Sequence, residues 1–341
     1  MSLRAAVIGC GRRVTPDGHV HTGMGYQHGD AFRHLGIPVI ACADVQFENA
    51  GHFADAYGGK PYGDYREMLA EAQPDLVSIC TWPHLHEEMT LAAVDAGVKA
   101  IHCEKPIAPT WASAKRMVAH AAEKGVQLTF NHQRRFDRPY MKVKRLIAEG
   151  AIGELRRLEM GTDNLFDWGT HWFDMMFFYL NQTPAEWVLG QVEPTGGPTV
   201  FGVTMEGQGI VRVKFENGIT AIMCTQRGHG EHGLGAMHRI IGSEGFIELG
   251  ARGWETLDIW NKGRTFWEDI TEPSVHGPEG AITLGVADLV RCLEKGDEPE
   301  LSARKALMAT ELIFASYESS RQGRRIDLPL EVSDSAVIGN A

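Results

Sequence analysis

The sequence lacks several features that would place it in a specialised class. None of its six cysteines forms a CxxC pair, so the usual spacing of a structural zinc site is missing. No apolar run approaches the roughly 18–20 residues that span a bilayer. Acidic residues outnumber basic ones, 44 to 33, which argues against general affinity for nucleic acid or anionic membranes. We therefore expect no nucleic-acid partner, no membrane partner and no metal site.

The composition is that of a globular protein without stabilising disulfides. Of the 341 residues, 43% are hydrophobic and 23% are charged, and this length favours two domains. Four cysteines lie at or beside the ends of apolar runs, where cysteine serves as a small apolar residue. The N-terminus enters an apolar run directly, with no signal-peptide layout. We expect a reduced, cytoplasmic protein.

The first third of the chain alternates short apolar runs with amphipathic stretches. The predicted strands are Ala5–Ile8, Val39–Ala43, Leu76–Cys80, Lys99–Cys103 and Gln127–Phe130. Helical patterns lie between them, and those around Glu87–Ala96 and Trp111–Lys124 are followed by glycine. This alternation predicts an α/β domain over residues 1–130, with a doubly wound parallel sheet of the Rossmann type.

Beyond residue 150 the pattern changes to strands with period-two alternation. The predicted strands are Arg156–Thr162, Glu186–Val192, Gly209–Phe215, Thr220–Gln226 and His238–Ile241. The predicted helices are Asp167–Leu180, Ala281–Lys295 and Ala303–Arg321. This predicts an α+β domain over residues 131–330 with a large, mostly antiparallel open sheet, followed by a tail at 331–341. We expect Ser333–Ala341 to be loose.

The run Thr220–Cys224 carries apolar residues at alternate positions of both parities. We expect such a strand to be buried on both faces of its sheet. Because helices cover one face only, another copy of the chain would cover the other face. The sequence therefore predicts a homodimer or homotetramer that is joined through the C-terminal sheet.

The first apolar run ends in Gly9-Cys10-Gly11, which opens a dinucleotide fingerprint. The next glycine that can begin the following helix is Gly25, 14 positions after Gly11 instead of three, an insertion of 11 residues. Asp44 ends the second strand, where an acidic residue binds the ribose hydroxyls. Its charge would repel a 2′-phosphate, and no arginine follows it, so we predict NAD as the cofactor rather than NADP.

The insertion lies within Arg12–Met24, at the carboxyl edge of the predicted sheet. It is rich in arginine, histidine and threonine. One interpretation is a tolerated surface loop. The other is a segment that folds over the cofactor and supplies polar contacts, beginning with Arg12.

Three motifs give the chain a family resemblance. Glu104-Lys105-Pro106 matches an EKP signature after the fourth strand, Thr81–His86 resembles a TPxxxH segment, and Asp167–His171 matches a DxGxH element. In this order they resemble the Gfo/Idh/MocA family, named after glucose–fructose oxidoreductase, inositol dehydrogenase and a rhizopine-catabolism protein. The resemblance covers nearly the whole chain. The expected cofactor contacts are Gly9, Gly11, Arg12, Gly25, Asp44, Thr81, Pro83, His86, Glu104 and Lys105.

The resemblance also implies catalytic roles for Lys105, Asp167 and His171. Lys105 follows a parallel strand at its carboxyl end, where open α/β sheets bind ligands. Asp167 and His171 are four residues apart and would share one face of a helix. His171 is the expected general base, and Lys105 is expected to bind the same substrate oxygen. Asp167 would orient either His171 or Lys105.

Arg134 and Arg135 lie where the chain enters the second domain. Either could bind an anionic group of the substrate, whose other expected contacts are Lys105 and His171. Salt bridges that stabilise the domain interface are an equally good interpretation of both arginines. The His-x-His pairs at His19 and His84 suggest zinc, but we favour loop positions and no metal.

The favoured function is NAD(P)-dependent hydride transfer between a nicotinamide and a secondary alcohol or carbonyl of a sugar, cyclitol or related polyol. An NAD-dependent glycosidase that acts by transient oxidation is an alternative on the same fold. A non-catalytic dinucleotide sensor is a third possibility, although a sensor has no need of a general base.

Overall fold

A computed structural model describes residues 3–15, 17, 19–225, 234–264 and 266–337. The chain divides into two compact units. Unit 1 contains residues 1–108, 113–133 and 276–306, and unit 2 contains residues 109–112, 134–275 and 307–341. Within the described ranges, no helix has the length and apolar character needed to cross a bilayer.

The secondary structure follows the chain in this order. The strands are β1 (Ala5–Ile8), β2 (Arg12–Val14), β3 (Val20–Thr22), β4 (Val39–Ala43), β5 (Lys60–Tyr62), β6 (Leu76–Ile79), β7 (Ala100–Cys103), β8 (Gln127–Phe130), β9 (Leu155–Thr162), β10 (Ala185–Val192), β11 (Thr199–Val200), β12 (Val203–Thr204), β13 (Gly209–Phe215), β14 (Thr220–Thr225), β15 (His238–Gly242), β16 (Gly245–Leu249), β17 (Leu257–Asn261), β18 (Glu268–Asp269) and β19 (Ile326–Asp327). The α-helices are α1 (Met24–His34), α2 (Phe47–Tyr57), α3 (Tyr65–Ala72), α4 (Pro83–Asp95), α5 (Trp111–Glu123), α6 (Arg138–Ala148), α7 (Gly169–Tyr179), α8 (Ala281–Lys295) and α9 (Ala303–Gln322).

Unit 1 is built on a parallel sheet with the strand order β5-β4-β1-β6-β7-β8. Every residue of β1, β6 and β7 is buried, which is why these strands are apolar in the sequence apart from Ser78 and His102. The Rossmann prediction is confirmed. Strand β5 was not predicted, because it is a short edge strand that contains Pro61 and exposes Lys60.

Helix α8 belongs to unit 1, whereas the sequence placed it in a second domain over residues 131–330. Its Val286 and Leu289 are buried in the same core as Ala31 and Phe32 of α1. The prediction of the helix itself, Ala281–Lys295, is confirmed. The periodicity shows that this helix has an apolar face, but it does not show which sheet that face covers.

Unit 2 is built on a mixed sheet with the order β18-β17-β16-β15-β9-β14-β13-β10-β19. Strands β9 and β14 are parallel, and the other pairs are antiparallel. Helix α9 packs directly on β10, since a Cβ on Gly190 would lie 2.7 Å from the carbonyl oxygen of Ser316. On the opposite face, Leu189 and Ile210 are 46% and 53% exposed. The predicted open sheet is confirmed.

Two details of unit 2 differ from the sequence predictions. Helix α7 begins at Gly169, so Asp167 lies in the turn before the helix and not on it. The tail is packed as far as Val337, which is fully buried. Arg321 donates a 2.6 Å hydrogen bond to the carbonyl oxygen of Ala336. The last four residues of the expected loose tail, like Gln226 at the end of a predicted strand, lie outside the described residues.

Candidate active site

The glycines after β1 allow the backbone to pack very closely. Gly9 has a φ of +92°, and a Cβ there would lie 2.7 Å from the carbonyl oxygen of Cys80. A Cβ on Gly25 would clash with the carbonyl oxygen of Gly9. Helix α1 therefore begins directly against the end of β1, which is the geometry that a dinucleotide fingerprint requires.

The insertion forms a β-hairpin between Gly11 and Gly23. Strands β2 and β3 pair antiparallel, with Arg12 opposite Thr22. At the base, the N–H of Gly23 donates a 2.7 Å hydrogen bond to the carbonyl oxygen of Gly11. Gly23 and Met24 thus occupy the two positions before the third fingerprint glycine, Gly25. The hairpin interrupts the fingerprint in the sequence, while its two ends, Gly11 and Gly23, remain hydrogen bonded to each other.

Asp44 lies at the carboxyl end of β4, as predicted. Its Oδ2 accepts a 3.0 Å hydrogen bond from the N–H of Cys10, and its Oδ1 accepts one of 2.9 Å from Gln46. Each carboxylate oxygen keeps capacity for a second donor. Asp44 lines a pocket with Gly9 and Thr81. These residues fit the ribose and pyrophosphate of a dinucleotide.

Lys105 follows β7 at the carboxyl edge of the same sheet. The preceding Glu104 is buried, and its Oε1 is 2.9 Å from Nε2 of His28 and 2.6 Å from Nδ2 of Asn131. Glu104 is one of the predicted cofactor contacts. Its carboxylate is held by two side chains inside unit 1. Its contact with the cofactor stays a prediction.

His86 holds the segment that follows Lys105. Its Nδ1 lies 3.0 Å from the carbonyl oxygens of Pro106 and Ile107, and its Nε2 lies 3.1 Å from that of Thr81. The ring is fully buried, and burial lowers the pKa of His86. Its direct contact with a cofactor stays a prediction, as does that of Pro83, the first residue of α4.

In unit 2, a polar cap fixes the turn that carries Asp167. Oδ1 of Asn164 accepts hydrogen bonds from the N–H groups of Asp167 and Trp168, at 2.7 and 3.2 Å. Glu206 accepts a 2.5 Å hydrogen bond from the N–H of Leu165. This carboxyl is buried, and burial raises its pKa. The turn leads into the first turn of α7, where the buried His171 lies.

Aromatic rings connect His171 with Arg134. The ring of His171 lies 6.3 Å from that of Trp168, which lies 5.5 Å from that of Trp254. The guanidinium of Arg134 is 5.5 Å from the Trp254 ring. Aromatic side chains with a few polar groups are typical of small-molecule sites.

The two arginines have different environments. Arg135 is fully buried and forms two 2.8 Å hydrogen bonds with the carboxylate of Asp174. Arg134 pairs with Asp137 at 3.0 Å, but its buried Nε has no hydrogen-bond partner among the described residues. The geometry supports a stabilising role for Arg135 within unit 2. In Arg134, the Nε–H group remains as a hydrogen-bond donor.

Sequence reasoning missed His28 and Asn164. Asn164 had a recognisable pattern, since asparagine three residues before Asp167 is a usual cap of a turn. His28 lies on the buried face of α1 between glycines and Ala31. A polar residue on an apolar helix face indicates a buried partner, but not which one. Within the described residues, no group of three His, Cys, Asp or Glu side chains is placed to hold a metal ion.

Comparison with known proteins gives two family matches. Residues 3–132 match the model "Oxidoreductase family, NAD-binding Rossmann fold", and residues 156–328 match "Oxidoreductase family, C-terminal alpha/beta domain" of the same family. Together they cover most of the chain.

Individual relatives are more distant. D-apiose dehydrogenase of Paraburkholderia graminis is 27% identical, over 96% of this chain and 90% of that protein. 1,5-anhydro-D-fructose reductase of Ensifer adhaerens is 32% identical, over 56% of this chain and 62% of that protein. A structure of levoglucosan dehydrogenase with NADH and levoglucosan has a TM-score of 0.79 at 21% identity, covering 96% of this chain and 99% of that one. At this identity the structural likeness shows the fold. On the two family matches, with the glycine fingerprint and Lys105 at the sheet edge, the chain belongs to the Gfo/Idh/MocA family of oxidoreductases.

Proposed function

We propose that this oxidoreductase is an NAD-dependent dehydrogenase for a secondary alcohol of a sugar, cyclitol or related polyol. The observation that carries the proposal is Lys105, which lies at the carboxyl end of a buried parallel strand, on the same sheet edge as Asp44 and the glycine fingerprint. The similarity to sugar dehydrogenases and reductases supports this substrate class.

The residues of unit 1 fit the cofactor. Gly9, Gly11 and the N-terminus of α1 would hold the pyrophosphate, and Asp44 would accept the ribose hydroxyls. When bound, NAD supplies a hydride acceptor. Lys105 would donate a hydrogen bond to the substrate oxygen and stabilise the negative charge that develops there as the alcohol is oxidised.

The residues of unit 2 would manage the proton. The imidazole of His171 would accept the hydroxyl proton as general base, and would return it in the reductive direction. Asp167, fixed by Asn164, would orient a catalytic group. Arg134 and the neighbouring Trp254 would bind the rest of the substrate.

NAD is the proposed cofactor because Asp44 would repel a 2′-phosphate. The next residue, Val45, is 88% exposed, and neither it nor Gln46 can bind a phosphate through a charge. An arginine near this position accommodates the phosphate in NADP enzymes.

A homodimer or homotetramer is also proposed. The face of the unit 2 sheet opposite α9 exposes Leu189 and Ile210, and a second copy of this face would bury them. Light scattering at micromolar concentration tests this proposal. A monomer contradicts it.

A screen of polyols, cyclitols, aldoses and glycosides with each cofactor tests the function. We expect NADH to form with at least one free sugar or cyclitol. Release of an aglycone without net NADH would instead establish the glycosidase. Tight NAD binding without turnover of any substrate would favour the sensor. In that case the Lys105→Ala substitution should change only the binding of ligands.

A further inference from the structure

Three tryptophan rings lie close to His171, the expected general base of unit 2. The ring centroids of Trp168 and Trp172 are each 6.3 Å from that of His171. The ring of Trp254, from the turn between β16 and β17, lies 5.5 Å from that of Trp168 and 6.3 Å from that of Trp172. Trp254 is therefore separated from the expected general base by a single ring.

Trp254 is held in place but not covered. Besides the two indoles, the guanidinium of Arg134 lies 5.5 Å from its ring centroid. Nevertheless, 41% of Trp254 is exposed, whereas Trp172 is buried. An indole contributes most to the stability of the fold when its apolar surface is removed from water. The exposed part of Trp254 is thus an apolar surface of fixed orientation that a ligand can cover.

Arg134 brings hydrogen-bond donors to the Trp254 ring, but its charge is balanced. Its Nη1 donates a 3.0 Å hydrogen bond to Oδ2 of Asp137, whose side chain is only 4% exposed. Within the described ranges, no other cation pairs with this carboxylate, and no other carboxylate pairs with Arg134. One buried anion therefore balances one guanidinium, and the pair has no net charge.

An apolar ring surface beside a balanced ion pair favours an uncharged ligand. The carboxylate of Asp137 would repel a second anion beside Arg134, and water screens this repulsion weakly because the carboxylate is buried. A hydroxyl group can accept a hydrogen bond from the guanidinium without adding charge. The C–H groups of a sugar or cyclitol ring form an apolar face that can lie against an indole. An open-chain polyol has no such rigid face.

We propose that Trp254 is a specificity-determining residue that contacts the ring face of an uncharged cyclic sugar or cyclitol, while the Arg134–Asp137 pair binds hydroxyl groups and disfavours acidic substrates. This inference rests on the proposed function and narrows its substrate class from polyols in general to neutral rings. It also gives Arg134 a different task from binding an anionic group of the substrate: the arginine keeps its ion pair and offers its other N–H groups to hydroxyls.

The first test compares matched substrates of the wild-type enzyme. A neutral cyclic substrate from the screen is compared with an acidic derivative of the same ring, a uronate or a ring phosphate, and with an open-chain alditol. For glucose, these are glucuronate and glucitol. We expect kcat/KM to be at least about tenfold lower for both comparison compounds. An equal or higher kcat/KM for the acidic derivative would overturn the inference.

The second test changes the charge of the ion pair. Asp137→Asn removes the negative charge and keeps an oxygen that can accept the hydrogen bond from Arg134. The kcat/KM of the acidic derivative, relative to that of its neutral parent, should rise about tenfold, because the guanidinium is then unbalanced. Glu216→Gln is the control, since it makes the same charge change at an exposed position between β13 and β14. It should leave the ratio unchanged, and an unchanged ratio in Asp137→Asn contradicts the role of the pair.

The third test removes the ring. Trp254→Leu should raise the KM for the neutral ring about tenfold, with kcat and the Kd for NADH near their wild-type values. Trp254→Phe, which keeps an aromatic face, should give an intermediate KM. Trp267→Leu is the matched control, because Trp267 is 44% exposed and makes no ring contact with Trp254 among the described residues. An unchanged KM in Trp254→Leu, or the same rise in Trp267→Leu, contradicts the role of Trp254.

Failure of the inference differs from failure of the proposed function. If no sugar or cyclitol, neutral or acidic, gives NADH with the wild-type enzyme, the proposed function fails. If NADH forms but acidic or open-chain substrates are preferred, the function stands and the inference is overturned. If Asp137→Asn does not fold, Arg134→Gln provides the charge test. It leaves Asp137 unbalanced, so the relative kcat/KM of the acidic derivative should fall further, and an unchanged ratio contradicts the inference.

Discussion

The guanidinium of Arg135 binds the carboxylate of Asp174 through two hydrogen bonds of 2.8 Å, and neither side chain is accessible to solvent. The adjacent Arg134 has a different environment, near the rings of Tyr140 and Trp254. The two consecutive arginines thus lie in different surroundings, Arg135 in the interior of unit 2 and Arg134 beside aromatic rings, and we propose different tasks for them.

Substitutions of these arginines should separate stability from substrate binding. Asp174→Asn leaves the Arg135 charge buried without its partner and should lower the free energy of unfolding by about 3–5 kcal/mol. Its KM should stay near the wild-type value in the folded fraction. Arg134→Lys should raise KM with little loss of stability, because lysine cannot reproduce a forked contact. Urea unfolding measures the free energy of unfolding, and steady-state kinetics measure KM. A raised KM in Asp174→Asn with a large loss of stability in Arg134→Lys would contradict the assignment.

The catalytic assignment predicts a loss of turnover without a loss of cofactor binding. Lys105→Ala and His171→Ala should each lower kcat by about 10²–10⁴-fold, the usual contribution of general acid–base catalysis. The affinity for NADH, measured by fluorescence titration, should change little. Near-normal turnover in either variant would remove that residue from the mechanism.

Cofactor preference should depend on the charge of Asp44. The wild-type enzyme should show a higher kcat/KM with NAD than with NADP, and Asp44→Asn should narrow the difference by removing the repulsion of the 2′-phosphate. The asparagine can still accept one hydrogen bond from Cys10 or Gln46, so the loop should keep its fold. Equal kcat/KM values of the wild-type enzyme with both cofactors would refute the preference.

The His28–Glu104 pair should make stability depend on pH in two windows. The pKa of Glu104 is lowered to about 2 in the folded state, so its contribution is complete above its ordinary value and is lost as the pH falls towards 2. The pKa of His28 is raised to about 10, so its contribution is complete below about 6.5 and is lost as the pH rises towards 10.

Urea unfolding at a series of pH values checks both windows. The free energy of unfolding of the His28→Gln/Glu104→Gln variant should depend less on pH than that of the wild type, at both ends. If the free energy of unfolding depends on pH in the same way in both proteins, the His28–Glu104 pair does not cause that dependence.

Removal of the hairpin should leave a complete fingerprint. Deletion of residues 12–22 joins Gly11 to Gly23 and produces Gly-Cys-Gly-Gly-Met-Gly, and the two ends already share a 2.7 Å hydrogen bond. We expect the Tm to change little, because the hairpin lies outside the core. If its residues contact cofactor or substrate, the Kd for NADH or the KM should rise severalfold. Unchanged binding would leave the hairpin as a tolerated surface loop.

The parts of the fold that the sequence predicted are those with strong local patterns. Strands β1, β4 and β8 have the predicted bounds because nearly all of their residues are buried, so that apolar residues dominate them. The sheet of unit 2 was only partly predicted. Strands β16 and β17 were missed, since they are short and follow a glycine-rich turn.

What the sequence could not predict depends on long-range contacts. Helix α8 returns to unit 1 after more than a hundred residues spent in unit 2, and local periodicity contains no information about that return. Glu104 and His28 are 76 positions apart, so the EKP motif indicated a cofactor contact for Glu104 and gave no sign of its buried pairing with His28. The motif residues could be recognised, but their supporting contacts could not.

The transfer of deuterium from carbon to cofactor tests the central claim most directly. A substrate from the screen, deuterated at the carbon that bears the reacting hydroxyl, should give reduced nicotinamide that carries the deuterium, with a slower rate of transfer in a single turnover. Lys105→Ala and His171→Ala should give the same labelled product at much lower rates. Reduced cofactor without the label, or a glycoside cleaved with no label exchanged into NADH at any time, would contradict the account.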